Sequence, residues 1–118
     1  MKKIVLISIS ICSILVGCGL YDVNDRMNLA IYSGEGNIEK VTEYIPKVST
    51  LNYKSLKGET PLNSAVYNGH LDVVKLLIRE GASCIYKDDY GRTAYETAVE
   101  QNQLEVRNYL ESLNECKS

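Results

Sequence analysis

Catalysis in this chain would have to be built on His70, the single histidine, because no second imidazole exists to complete a Ser/His/Asp or Cys/His relay elsewhere. Four cysteines are present, Cys12, Cys18, Cys84 and Cys116, but none forms a CxxC pair. With one histidine they make a poor ligand set, so no metal is expected. Asp88 and Asp89 offer two carboxylates, yet adjacent acids at a loop tip are ordinarily solvated charge, and they are assigned to rim or specificity contacts. No glycine-rich phosphate loop follows a strand. The chemistry-bearing residues therefore assign no catalytic residue and no cofactor, and they point away from a small-molecule substrate.

The N-terminus carries a different chemistry. Lys2 and Lys3 precede an uncharged, largely apolar run from Ile4 to Val16, the arrangement of an export signal. That run is shorter than the about 20 residues a membrane-spanning helix requires. Its end, Leu15-Val16-Gly17-Cys18, resembles the lipobox of bacterial lipoproteins. The resemblance implies diacylglycerol on the Cys18 thiol, cleavage of residues 1–17 and acylation of the new amine. Several acyl chains anchor stably where one is marginal. It further implies a place in the cell envelope, facing the periplasm or the exterior, and in a source with two membranes Gly19 after the cysteine favours the outer membrane over retention at the inner one. Residues 18–26 are expected to be the lipidated N-terminus and a short polar tether.

Cleavage there would leave 101 of 118 residues, with 11 basic against 15 acidic side chains and a net charge of −4. That length suits one small domain, and the absence of a basic cluster argues against nucleic acid.

The rest of the chain repeats. Tyr53-Lys54 and Gly58-Glu59-Thr60 align with Tyr86-Lys87 and Gly91-Arg92-Thr93 at an offset of 33 residues; Ala65-Val66 then falls on Ala98-Val99, and Leu77 on Leu110. A fixed period of this length signals stacked units. Within one unit, Thr60 suits a helix N-cap, Pro61 the first helical position and Gly69 a stop. Leu71, Val74, Leu77 and Ile78 then give the next helix one apolar face, closed by Gly81.

The segment Gly58 to Ala82 resembles one complete ankyrin repeat. The resemblance implies an all-α solenoid of about three helix-turn-helix units with hairpin-like loops, over residues 27–56, 57–89 and 90–113. It also makes His70 a structural turn residue. The third unit departs from the pattern: Ala94 replaces proline, Glu96 replaces histidine as Asn63 does one unit earlier, and Gln101-Asn102-Gln103 replaces the Gly-His turn. This suits a C-terminal cap. The first unit is the most degenerate, and its phase has two solutions: Leu29 to Gly36 on Leu62 to Gly69, or Ala30 to Gly34 on Ala65 to Gly69. Pro46 should end its second helix early.

Packing claims Leu62, Ala65, Val66, Val73, Val74, Leu76, Leu77, Ala98 and Val99. Proteins resembling ankyrin repeats bind other proteins through their tips and the exposed face of each first helix. Those positions are Tyr53, Lys54, Ser55, Leu56 and Lys57 at one tip, Lys87, Asp88, Asp89 and Tyr90 at the next, and Tyr67, Asn68, Glu100 and Gln101 on the helices. Of nine tyrosines in a chain without phenylalanine or tryptophan, Tyr44, Tyr95 and Tyr109 are expected against the core, whereas Tyr67 and Tyr90 face solvent. Cys116 aligns with Ser83, next to Cys84. Equivalent positions in adjacent layers lie too far apart for a direct bridge, but a terminal tail can fold back, so an intramolecular disulfide stands beside an intermolecular bridge or a free thiol.

The function expected is that of a non-enzymatic protein-binding module in the envelope, with an immunity or inhibitor protein for a secreted effector as its sharpest form. The alternative is a structural accessory that recruits envelope machinery.

Overall fold

The computed structural model describes residues 18–117; the expected signal at 1–17, with Cys12 and the first three lipobox residues, and Ser118 lie outside the described residues. Six α-helices and no strands are found among the described residues: α1 Cys18–Glu35, α2 Ile38–Tyr44, α3 Pro61–Tyr67, α4 Leu71–Arg79, α5 Ala94–Glu100 and α6 Leu104–Ser112. They form three antiparallel pairs, α1/α2, α3/α4 and α5/α6, stacked so that α3 packs on α1 and α5 on α3.

The helices begin where the sequence supplies caps. Thr60 Oγ1 accepts the Asn63 amide at 2.9 Å, with Pro61 next in line, where a missing N–H costs nothing. Thr93 caps α5 in the same way, and its hydroxyl also donates to the Glu96 carboxylate. Asn37 Oδ1 caps α2. At the other end of that helix, α2 stops at Tyr44 and a 3-10 turn, Ile45–Lys47, takes in Pro46, which has no amide hydrogen with which to continue the α ladder.

The turn between the helices of each pair fixes the phase of the first unit. Gly36 and Gly69 both have φ of +75°, and Asn102 takes φ of +55° at the third equivalent position. The next residue's amide reaches five residues back each time: Asn37 to Tyr32, His70 to Ala65 and Gln103 to Ala98, at 2.9 to 3.0 Å. The period of 33 therefore runs unbroken through all three units, and Leu29 to Gly36 matches Leu62 to Gly69. Asparagine replaces glycine in the last turn because its short polar side chain tolerates the left-handed region better than other residues.

One continuous core runs along the stack, from Leu29 and Val41 through Leu62, Val66, Val73 and Leu77 to Ala98, Val106 and Leu110, all essentially without solvent exposure. Tyr44, Tyr95 and Tyr109 half-cover it. Truncating one of the fully buried leucines to alanine would cost about 2–5 kcal/mol.

Side chains also tie layer to layer. His70 Nε2 lies 3.1 Å from the Gly34 carbonyl, and 33 residues on, Gln103 Nε2 donates to the Tyr67 carbonyl at 2.9 Å. Asn63 Nδ2 donates to the Arg92 carbonyl at 3.0 Å. These positions reach a backbone carbonyl in the neighbouring layer, which gives His70 a structural use.

Residues 18–26, expected as the lipidated N-terminus and tether, form the first turns of α1, with no proline or glycine from Leu20 to Ser33. This part of the helix is fastened down by Arg26, whose guanidinium donates to Ser49 Oγ at 2.9 Å. Val99 is not core but 44% exposed, whereas its equivalent Val66 is fully buried. The layer that covers Val66 has no successor over Val99 among the described residues.

Candidate partner-binding groove

The loops between pairs end in two tips built alike. In the first, the Ser55 amide donates to the Glu59 carbonyl and the Gly58 amide to Ser55, both at 2.8 Å; in the second, Asp88 donates to Arg92 and Gly91 to Asp88, both at 3.0 Å. The second tip leans on the first through the Asp89 amide, which donates to the Gly58 carbonyl at 2.8 Å, and through the Lys54–Asp89 ion pair at 3.1 Å.

Two predicted contact residues are instead internal supports. Tyr53 is only 5% exposed, and its hydroxyl donates to the Arg26 carbonyl at 2.7 Å, so the ring packs against α1. Asp88 is 3% exposed and accepts from the amides of Tyr90 and Arg92 and from Arg92 Nε, at 2.9 to 3.1 Å. A carboxylate that gathers the amides of its own turn is an Asx-type support, which withdraws Asp88 from the surface. Burial alone would push this carboxyl up, but the hydrogen bonds from Arg92 and Tyr90 and the Arg92 charge outweigh it and hold Asp88 below the usual carboxylate value. Arg92 also pairs with Glu100 at 3.3 Å and lies over the Tyr90 ring, 5.0 Å from its centroid.

The remaining predicted residues divide into two groups. Ser55, Leu56 and Lys57 of the first tip, with Tyr67 and Asn68 of α3, converge on a groove of about 530 Å³. Its opposite wall is α1, which contributes Met27, Ala30, Ile31, Gly34 and Glu35, while Glu59 closes the base of the tip. Lys54, Lys87, Asp89, Tyr90, Glu100 and Gln101 do not line it; of these Lys87, Asp89, Tyr90 and Glu100 are exposed and Gln101 is half-buried. The groove walls are apolar and open: Met27 is 40%, Ile31 49%, Tyr67 42% and Leu56 94% exposed. Contiguous exposed apolar surface of this kind marks interaction sites.

The α1 wall escaped the sequence reading because the phase of the first unit was open. With the phase settled, Gly34 and Glu35 fall on Tyr67 and Asn68, two positions already singled out, and that register was the signal available.

Cys84 and Cys116 form a disulfide with Cα atoms 5.3 Å apart, made when the 3-10 turn Asn114–Cys116 folds the tail back over the third unit. Among the described residues no cluster of three or more His, Cys, Asp or Glu side chains is placed to hold a metal, and no helix is long and apolar enough to cross a membrane. Cys18 is the first residue of α1.

Ankyrin repeats match the chain in three copies over residues 27–117. The chain belongs to the ankyrin-repeat family. As an ankyrin-repeat protein it is similar to serine/threonine-protein kinase 12 of Arabidopsis thaliana, at 30% identity over 76% of this chain and 20% of the kinase. Protein phosphatase 1 regulatory subunit 27 of Mus musculus is 35% identical over 67% of this chain and 52% of its own length. An ankyrin repeat protein of Rickettsia bellii is 29% identical, over 70% and 53% respectively. Among solved structures, it resembles a chain in the complex of the Bd0816 predatory endopeptidase of Bdellovibrio bacteriovorus with immunity protein Bd3460. The TM-score is 0.66 and the identity 30%, over 72% of this chain and 45% of that one. The chain thus spans between a fifth and about half the length of these relatives. The family makes this ankyrin-repeat chain a protein-binding module.

Proposed function

We propose that this chain is a lipoprotein of the bacterial cell envelope that binds and neutralises a protein partner without chemistry of its own, as an immunity or inhibitor protein does. The observation that carries the binding reading is the open apolar groove between α1 and the first tip, where Met27, Ile31, Leu56 and Tyr67 remain uncovered. The likeness to a chain in a complex between an endopeptidase and its immunity protein supports the inhibitor form. The envelope anchor rests on Leu15-Val16-Gly17-Cys18, with lipid on Cys18 and, in a source with two membranes, an outer-membrane location favoured by Gly19.

Two experiments test the two halves. Metabolic labelling with a clickable palmitate analogue should mark the wild-type chain and not Cys18→Ala; equal labelling would sink the lipid assignment. For the binding half, affinity capture from envelope and secreted-protein fractions should retain one stoichiometric protein on the wild-type chain and lose it on Ile31→Asp. The captured protein's own activity should then fall when the chain is added back. An unchanged activity would favour a recruiting accessory over an inhibitor.

A further inference from the structure

We infer that the groove between α1 and the first tip takes a protein segment that presents one aliphatic or aromatic side chain with a lysine or arginine close beside it; this inference rests on the protein-binding reading above. The apolar half of that requirement follows from Met27, Ile31, Leu56 and Tyr67, which stand open on both walls. An inserted apolar side chain would remove them from water together, which no single exposed residue could achieve.

The charge half follows from what lines the same groove. Glu35 and Glu59 both face it, and neither forms an ion pair among the described residues. Glu43, Asp88, Asp89, Glu100 and Glu111 each have a cationic partner. Lys57 is the one cation of the lining, so the groove keeps an excess of negative charge beside its apolar walls. Complementary charge in such a place steers encounter and rejects partners of like sign.

The internal repeat supplies a control for this assignment. One period further on, Ile31 becomes Ser64, Leu56 becomes Asp89, Tyr67 becomes Glu100 and Glu59 becomes Arg92. The charges of the second tip are therefore paired, Arg92 with Asp88 and Glu100 and Asp89 with Lys54 of the first tip. The apolar walls and the uncompensated acids coincide at the first tip and not at the second.

Selection of short random peptides on the full-length chain in detergent micelles tests this directly. The expected winners place Lys or Arg within a few positions of Leu, Ile, Met, Phe or Tyr. Ile31→Asp should lower their affinity by about tenfold or more, as loss of a central anchor does. Glu35→Gln combined with Glu59→Gln, both isosteric, should lower it by about two- to fivefold at low salt and flatten its salt dependence. Circular dichroism on each variant confirms that the helices persist. Winners without basic residues, or indifferent to the double glutamine variant, would overturn the charge assignment. Winners lost on Tyr90→Ala and kept on Ile31→Asp would overturn the groove while leaving a protein-binding module. Ile31-dependent self-association would put a second copy in the groove and overturn the proposed partner. A folded chain that selects nothing would overturn both the groove and the binding reading.

Discussion

The turns Ser55 to Glu59 and Asp88 to Arg92 close with the same two backbone hydrogen bonds, yet Leu56 at the first stands 94% exposed while Asp89, its equivalent, is tied to Gly58 and Lys54. The repeat dictates the backbone; the side chains dictate use. At the first tip the buried residue, Tyr53, braces the loop from behind and leaves the outer surface open to a partner. At the second, Asp88 and Arg92 consume the polar capacity of the loop, and the disulfide from Cys84 to Cys116 ties the unit that carries it to the tail. A short stack can thus assign recognition to one layer and mechanical support to the next without altering its geometry.

Removing the covalent tie should have the largest effect on this contrast. The disulfide spans 32 residues, so replacing both cysteines by alanine should cost about 3–4 kcal/mol in urea denaturation, through the loop-closure entropy returned to the unfolded chain. Hydrogen exchange should rise first in α5 and α6 while α1 and α3 stay protected; uniform loss would mean that the two ends do not differ in this way. Next comes Asp88→Ala, which takes the carboxylate acceptor from the part-buried Tyr90 and Arg92 amides, leaves Arg92 with Glu100 as its charged partner, and should destabilise by about 1–3 kcal/mol. Asp88 also gives a pH signature. Its folded pKa lies below 3.8, so its contribution is complete above the unfolded value and is lost as pH falls from there through the folded one. The stability gap between wild type and Asp88→Ala should therefore narrow as pH falls below about 3.8, and parallel curves would contradict the assignment. Tyr53→Phe removes one part-buried hydrogen bond to Arg26 and should cost about 1 kcal/mol in the same urea assay. Leu56→Ala is the smallest: at 94% exposure it should change stability by less than about 0.5 kcal/mol while weakening partner capture, which separates binding from support.

The stack was legible in the sequence because Thr60-Pro61, Gly69 and the 33-residue recurrence of apolar positions each encode a local requirement. The sides of the tips were not. Whether Tyr53 faces in or out depends on the Arg26 carbonyl, 27 residues away, and no local pattern contains that partner. Asp88 was closer to legible, since an aspartate three residues before Gly91 can gather turn amides, but adjacency to Asp89 suggested shared exposure. The α1 wall of the groove depended on the phase of a degenerate unit, which the positive φ at Gly36 decides.

The side chains of His70 and Gln103 both reach backwards, from the later layer to a carbonyl of the earlier one. A chain that leaves a ribosome or a translocation channel N-terminus first would present the groove-bearing α1 before His70 exists to hold it, so each layer waits for its successor to be latched. Completion of the binding layer is in this sense retrospective: it is finished only when the layer behind it has arrived.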